Sequence, residues 1–231
     1  KDLRQQRRLQ FSAACHRQGL TRGHLLDSMQ TWSQARLIVL GDTIVDQYAA
    51  CEAIGMSAEA PVVVVRELER KNFIGGAAVV AAHISALGAH CDFISVVGAD
   101  STAELVRQEL ANQGIGDGLS SDPSRPTTFK KRYVVENQKL FRVSRLEEHN
   151  LDAAVEDQVI AQLERLAPGA NGIVVSDFVY GVITPRILEV VQHMAQQHNL
   201  LLFAQMGQPI DQDREIIDQL QLFEAAVSGQ G

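Results

Sequence analysis

Residues 75–88 read GGAAVVAAHISALG, and the fold is decided here. Two adjacent glycines let backbone N–H groups approach a ligand with no Cβ in the way. Behind them Ala77 to Ala82 are small and apolar, which predicts a buried helix with no polar face before His83. A helix N-terminus at this point favours oxygen-rich, anionic ligands. Gly88 suits the left-handed position that closes a helix. A Gly-Gly pair before a helix also serves close helix–sheet packing, so its meaning depends on its neighbours.

Those neighbours read as strands and helices in turn. Residues 36–41 (RLIVLG) form a short β-branched run ended by glycine, a buried strand. Residues 61–67 (PVVVVRE) predict a second strand, opened by a proline where a strand tolerates it. The glycine-opened helix follows, then a strand over 92–98 (DFISVVG). Ser101 and Glu104 form a capping box for a helix over 101–113, which Gly114 ends. Across 127–147, two segments of alternating side chains flank Glu136-Asn137-Gln138 and predict a β-hairpin. Residues 152–166 are amphipathic, with Val155, Val159, Leu163 and Leu166 on one side. A buried strand at 172–176 (GIVVS), a helix opened by Thr184-Pro185 and a strand at 200–204 (LLLFA) complete the pattern. Strands alternating with helices imply an α/β fold with a mostly parallel sheet covered on both faces. The hairpin breaks that alternation and forms a lid off the main sheet.

Composition narrows the function. A chain of 231 residues suffices for one α/β domain with a substantial core. The net charge of -7 argues against a general nucleic-acid binder. No apolar run approaches the roughly 20 residues of a membrane helix, and no signal peptide is visible, so a cytoplasmic location is expected. Cys15, Cys51 and Cys91 lie far apart, match no metal spacing and read as free thiols. His193 and His198 read as helix-surface residues, and Asp211, Asp213, Glu215 and Asp218 as acids at a helix start. No metal site is predicted. Residues 1–34 form one or two helices outside the core. Their Lys1, Arg4, Arg7, Arg8, Arg17 and Arg22 make a solvated face or a basic docking arm.

Gly41-Asp42-Thr43-Ile44-Val45-Asp46 lies at the C-terminal end of the first strand, the edge where open α/β sheets bind ligands. A carboxylate there accepts hydrogen bonds from two vicinal hydroxyls and so suits a sugar. The plainer alternative is that Asp42 caps the turn and Asp46 is merely exposed.

The runs GDTIVDQY (41–48), MSAEAPVVVV (56–65), GGAAVVAAHISALGA (75–89) and VVGAD (96–100) resemble the N-terminal half of a ribokinase-like (PfkB) carbohydrate kinase. Within that family the similarity is greatest to the heptose-phosphate kinase domain of bacterial ADP-heptose synthesis. Gly41-Asp42, Asp46, Glu59-Ala60-Pro61, Gly75-Gly76 and the Gly98 to Asp100 turn fall in the family's order. VSDFVYGVIT (175–184) resembles its Ser-Asp-Tyr segment, and 127–148 sits where the family has its sugar-covering lid. The resemblance spans Arg36 to Ala204 and implies a Rossmann-like three-layer α/β/α ribokinase-like fold. It implies ATP-dependent phosphorylation of a sugar or sugar-phosphate hydroxyl, with ATP and Mg²⁺ as cofactors. By position it gives Asp46 the sugar hydroxyls and sets the backbone of Gly75 and Gly76 against the sugar. Lid residues Lys130, Arg132 and Arg142 would meet a sugar phosphate, unless they only protect an edge strand with charge. Glu147 would bind a hydroxyl, and Asp177 would lie near the nucleotide phosphates.

Four departures qualify the resemblance. Val79 stands where the family has a sugar-contacting Asn, and Tyr180 where it has a lysine. Ala204-Gln205-Met206-Gly207 replaces an Asp-Pro-Lys type turn. The Gly-Ala-Gly-Asp motif that carries the catalytic base is absent, as is the Asn-x-x-Glu region before it. No catalytic residue is therefore assigned. Residues 205–220 (QMGQPIDQDREIIDQL) instead resemble the family's extreme C-terminal segment. The expected organisation is a helical extension (1–34), a sugar-binding portion (35–204, lid 127–147) and a C-terminal segment (205–231), without the nucleotide half. The leading expectation is a sugar kinase, and the alternative is a catalytically inactive sugar-binding or regulatory module. A structural role, with the lid as a clasp, is a third. The exposed hairpin edge predicts a homodimer.

Overall fold

A computed structural model describes residues 3–136 and 138–207. Along the chain run α1 (Leu3–Arg17), α2 (Arg22–Thr31), β1 (Arg36–Gly41), β2 (Thr43–Met56), β3 (Val63–Gly76), α3 (Ala77–Ala86) and β4 (His90–Val97). There follow α4 (Ser101–Asn112), β5 (Gly116–Ser121), β6 (Phe129–Val135), β7 (Gln138–Arg145), α5 (Ala153–Leu166), β8 (Gly172–Ser176), α6 (Pro185–Gln197) and β9 (Leu201–Gln205).

The apolar runs assemble into one five-stranded sheet, ordered β5-β4-β1-β8-β9, with every neighbouring pair parallel. Alternate residues of its strands feed two cores. Val39, Cys91, Phe93 and Val97 pack with Ala77, Ala78 and Ala81 of α3 and with Val106 and Leu110 of α4. Ile38, Leu40, Ile94, Ile173 and Val175 pack with Val155, Val159 and Leu163 of α5 and with Ile187 and Val191 of α6. Two helices on each face of a parallel sheet give the three-layer α/β/α arrangement.

The second sheet is larger than the expected hairpin. It has four strands in the order β3-β2-β6-β7. The strand expected over 61–67 runs on to Gly76, and β2 is an unanticipated 14-residue partner to it. Residues 66–72 (RELERKN) carry no apolar run, because this part of the strand is exposed on both faces, so its hydrophobic period is silent. β5 (GDGLSS) was likewise unmarked, its glycines and serines being poor strand formers. The helix α4 starts one residue from the expected cap: Asp100, not Ser101, is the N-cap and accepts from Ala103 N at 3.0 Å.

Helix α3 is half-buried rather than buried, with Val79 and His83 turned outward. Gly88 closes it with φ +96°, a left-handed value that glycine adopts without strain. The cysteines are unpaired, as the spacing implied. Burial, with the nearby Asp92 charge, pushes the Cys91 thiol up to about 12, which makes it a packing group. Residues 5–34 have no buried position, so α1 and α2 lie outside the core. No described helix is long and apolar enough to cross a membrane. The C-terminal segment from residue 208, with Asp211, Asp213, Glu215 and Asp218, lies outside the described residues.

Candidate sugar site at the junction of the two sheets

The site is built where β1 ends and the second sheet begins. Asp42 immediately follows β1 and is buried, 1% exposed. Its carboxylate accepts from Phe178 N at 2.7 Å, Val182 N at 3.3 Å and Tyr180 N at 3.4 Å. Its own carbonyl accepts from Ala77 N at 2.9 Å. Desolvation raises the Asp42 pKa against the opposing pull of these N–H groups and of Asp177. Asp42 therefore joins the start of α3 to the loop after β8, and for this residue the turn-capping alternative holds. Gly76, with φ +65°, completes the junction: a Cβ there would lie 2.3 Å from the Asp42 carbonyl oxygen.

Asp46 projects from β2 into a cavity of about 620 Å³. Gly75, Tyr48, Phe73 and Val79 also line this cavity. A Cβ on Gly75 would come within 2.9 Å of Asp46 Oδ2, so the missing side chain makes the seat for that carboxylate oxygen. The other oxygen, Oδ1, pairs with the guanidinium of Arg132 from β6. The hydrogen bond that Arg132 donates to Asp46 raises the arginine's pKa, so it is firmly charged. Arg132 also stands over the Tyr48 ring, 5.4 Å from its centroid.

The remaining sequence candidates divide. Lys130 stands beside Asp46 in the β2–β6 register, with its ammonium 4.8 Å above the centre of the Tyr180 ring. Arg142 lies directly opposite Arg132 in the β6–β7 register and is exposed. Gly76 backs the cavity without lining it. Glu147 is exposed in the connection after β7, away from the cavity lining. Asp177 is half-buried after β8; it accepts from Val179 N at 2.8 Å and donates its own N–H to Gln205 O at 2.9 Å.

Sequence reasoning missed three contributors. Tyr48 and Phe73 pack edge-to-face at 5.8 Å and form a cavity wall. Arg125 is 7% exposed and ties three loops together. Its side chain donates to Asp122 Oδ2 at 2.8 Å, to Tyr180 O at 2.9 Å and to His149 O at 2.8 Å. Burial raises the Asp122 pKa, but hydrogen bonds from Ser124 and Arg125 outweigh it and hold that carboxyl below its ordinary range. An acid and a base three residues apart in a loop, Asp122 and Arg125, were the available signal. Among the described residues no group of three or more His, Cys, Asp or Glu side chains could hold a metal ion. The carboxylate and the cations of this face suit a polyhydroxylated, anionic ligand.

Comparison with known proteins gives the family. The pfkB family of carbohydrate kinases matches residues 34–225. A D-beta-D-heptose 7-phosphate kinase of Bordetella bronchiseptica is 39% identical over 151 residues, covering 65% of this chain and 48% of that protein. A bifunctional protein HldE of Citrifermentans bemidjiense is 36% identical over 157 residues, covering 68% of this chain and 32% of that protein. The chain thus spans from about a third to about half the length of these relatives. Among solved structures, Escherichia coli phosphofructokinase-2 in complex with substrates and products superposes with a TM-score of 0.59. The identity is 15%, over 75% of this chain and 54% of that one. Arabidopsis thaliana ribokinase complexed with ribose and ATP gives 0.52 at 15% identity, over 74% of this chain and 53% of that one. At such identities these two speak for the ribokinase-like fold alone. With a family match over most of its length, the chain belongs to the pfkB family of carbohydrate kinases.

Proposed function

We propose that this chain forms the sugar-binding portion of an ATP-dependent carbohydrate kinase whose substrate is a heptose phosphate or a closely similar sugar phosphate. The observation that carries this reading is the Asp46 carboxylate, seated over the bare backbone of Gly75 at a cavity of about 620 Å³. A carboxylate so held accepts from two vicinal hydroxyls. Arg132, Arg142 and Lys130 share its face of the second sheet and supply the charge for a phosphate. Glu147, where the lid returns to the core, is a further hydroxyl partner in this reading.

ATP, with Mg²⁺ as its usual partner, supplies the phosphoryl group that a sugar hydroxyl attacks. Asp177 is assigned to the nucleotide side because it stands at the C-terminal end of β8. In this reading the described residues bind and orient the acceptor sugar. The division into 1–34, 35–204 and 205–231 belongs to the same reading. Val79 and Tyr180 favoured an inactive module, but the kinases that this chain resembles lend that alternative no support. A cytoplasmic location fits the substrate. The exposed edge of β7 supports a homodimer through the lid; a single-chain mass by light scattering at micromolar protein would remove it.

Calorimetric titration with a heptose 7-phosphate tests the site. The chain is expected to bind it, and Asp46→Asn to weaken binding about 10-fold or more, the worth of a hydrogen bond to a charged group. Equal affinity in the two proteins would overturn the assignment.

A further inference from the structure

We infer that the Asp46–Arg132 ion pair is a specificity lock that opens for phosphorylated sugars and stays closed against unphosphorylated ones. The inference rests on the sugar-phosphate reading above and makes Arg132 a specificity-determining residue. A carboxylate that grips two vicinal hydroxyls needs both of its oxygens. Here Oδ2 is seated against Gly75 while Oδ1 is taken by Arg132. A plain sugar competes with the guanidinium for Oδ1 and offers it only neutral hydroxyl oxygens in return. A sugar phosphate offers it a dianion and frees Oδ1 in the same exchange.

Three observations support such an exchange. Arg132 and Arg142 are directly opposed in the β6–β7 register, on one face. Like charges in that relation repel, and Asp46 neutralises only one of them, so the pair is short of an anion. The Arg132 guanidinium also rests over the Tyr48 ring, which lets it leave the carboxylate without losing every contact. Finally, the pair is only partly buried, with side-chain exposures of 18% for Arg132 and 24% for Asp46. A pair that solvent still reaches can be exchanged for the phosphate of a ligand.

The test is calorimetric titration of the wild-type chain, Arg132→Gln and Arg142→Gln with a heptose 7-phosphate and with the same heptose lacking its phosphate. The wild type is expected to prefer the phosphate. R132Q should lose about 10- to 100-fold on the phosphate. It should also gain about two- to fivefold on the plain heptose, because Asp46 is released. R142Q should weaken the phosphate without any gain on the plain heptose, since it leaves the pair intact. No gain for R132Q on the plain heptose would make Arg132 an ordinary phosphate ligand and overturn the lock, with the proposed function still standing. Weakening of both ligands together with a lower melting temperature would make Arg132 structural and also overturn it. A wild-type chain that binds neither ligand would remove the lock and the proposed function together.

Discussion

The two sheets of this protein are held together by different physics. In the five-stranded sheet Val39, Leu40, Phe93, Ile94, Ile173 and Val175 are all fully buried, and helices cover both faces. In the four-stranded sheet every residue of β6 is half-buried and every residue of β7 is exposed. Beyond the buried Val45 and Ala49 of β2, its contacts include the Lys131–Glu67 ion pair at 2.8 Å, the Asp46–Arg132 pair and the stacked rings of Tyr133 and Phe141 at 4.6 Å. Ion pairs that solvent still reaches contribute little next to buried apolar side chains, which contribute about 1.5–3 kcal/mol each. The central sheet thus carries the stability, and in the proposed function the second sheet carries the recognition. Elements with few buried contacts open locally at low cost, which suits a surface that must admit a ligand.

Substitutions along this gradient test the contrast, the largest effect in the core. Phe93→Ala should cost about 3–5 kcal/mol in chemical denaturation, a buried aromatic replaced by a cavity. At the junction, Gly76→Ala puts a Cβ 2.3 Å from a backbone oxygen at φ +65° and should cost at least about 1–3 kcal/mol. In the lid, Phe141→Ala removes one stacked ring, 53% exposed, and should cost about 0.5–1.5 kcal/mol. A loss from Phe141→Ala as large as that from Phe93→Ala would show that the second sheet also bears the fold.

The same contrast decides what the sequence reveals. β1, β4 and β8 were legible because burial on both faces forces unbroken apolar runs; β9 was legible from its apolar run although Leu201 and Phe203 are exposed at the sheet edge. Helix α5 was legible from its apolar spacing and α6 from Thr184, which is its N-cap. The distal half of β3 was silent because solvent on both faces selects RELERKN as readily as any other polar run. Of the site, Gly75-Gly76 and Asp46 showed in local pattern, since a bare backbone and a carboxylate at a strand end are local features. The Asp46–Arg132 pair joins residues 86 apart and leaves no local trace. Lys130 was legible as a lid cation, but its seat over Tyr180 follows from how Asp42 and Arg125 shape the loop after β8.

The central claim is that a sugar phosphate is gripped between the start of α3 and the inner face of the second sheet. Amide chemical-shift mapping during titration with a heptose 7-phosphate tests it most directly. The account predicts that the largest shifts fall on Asp46, on Gly75 to Val79 and on Lys130 to Arg132, with α1 and α2 unmoved. Saturable shifts confined to other residues, with those amides unchanged, would contradict it.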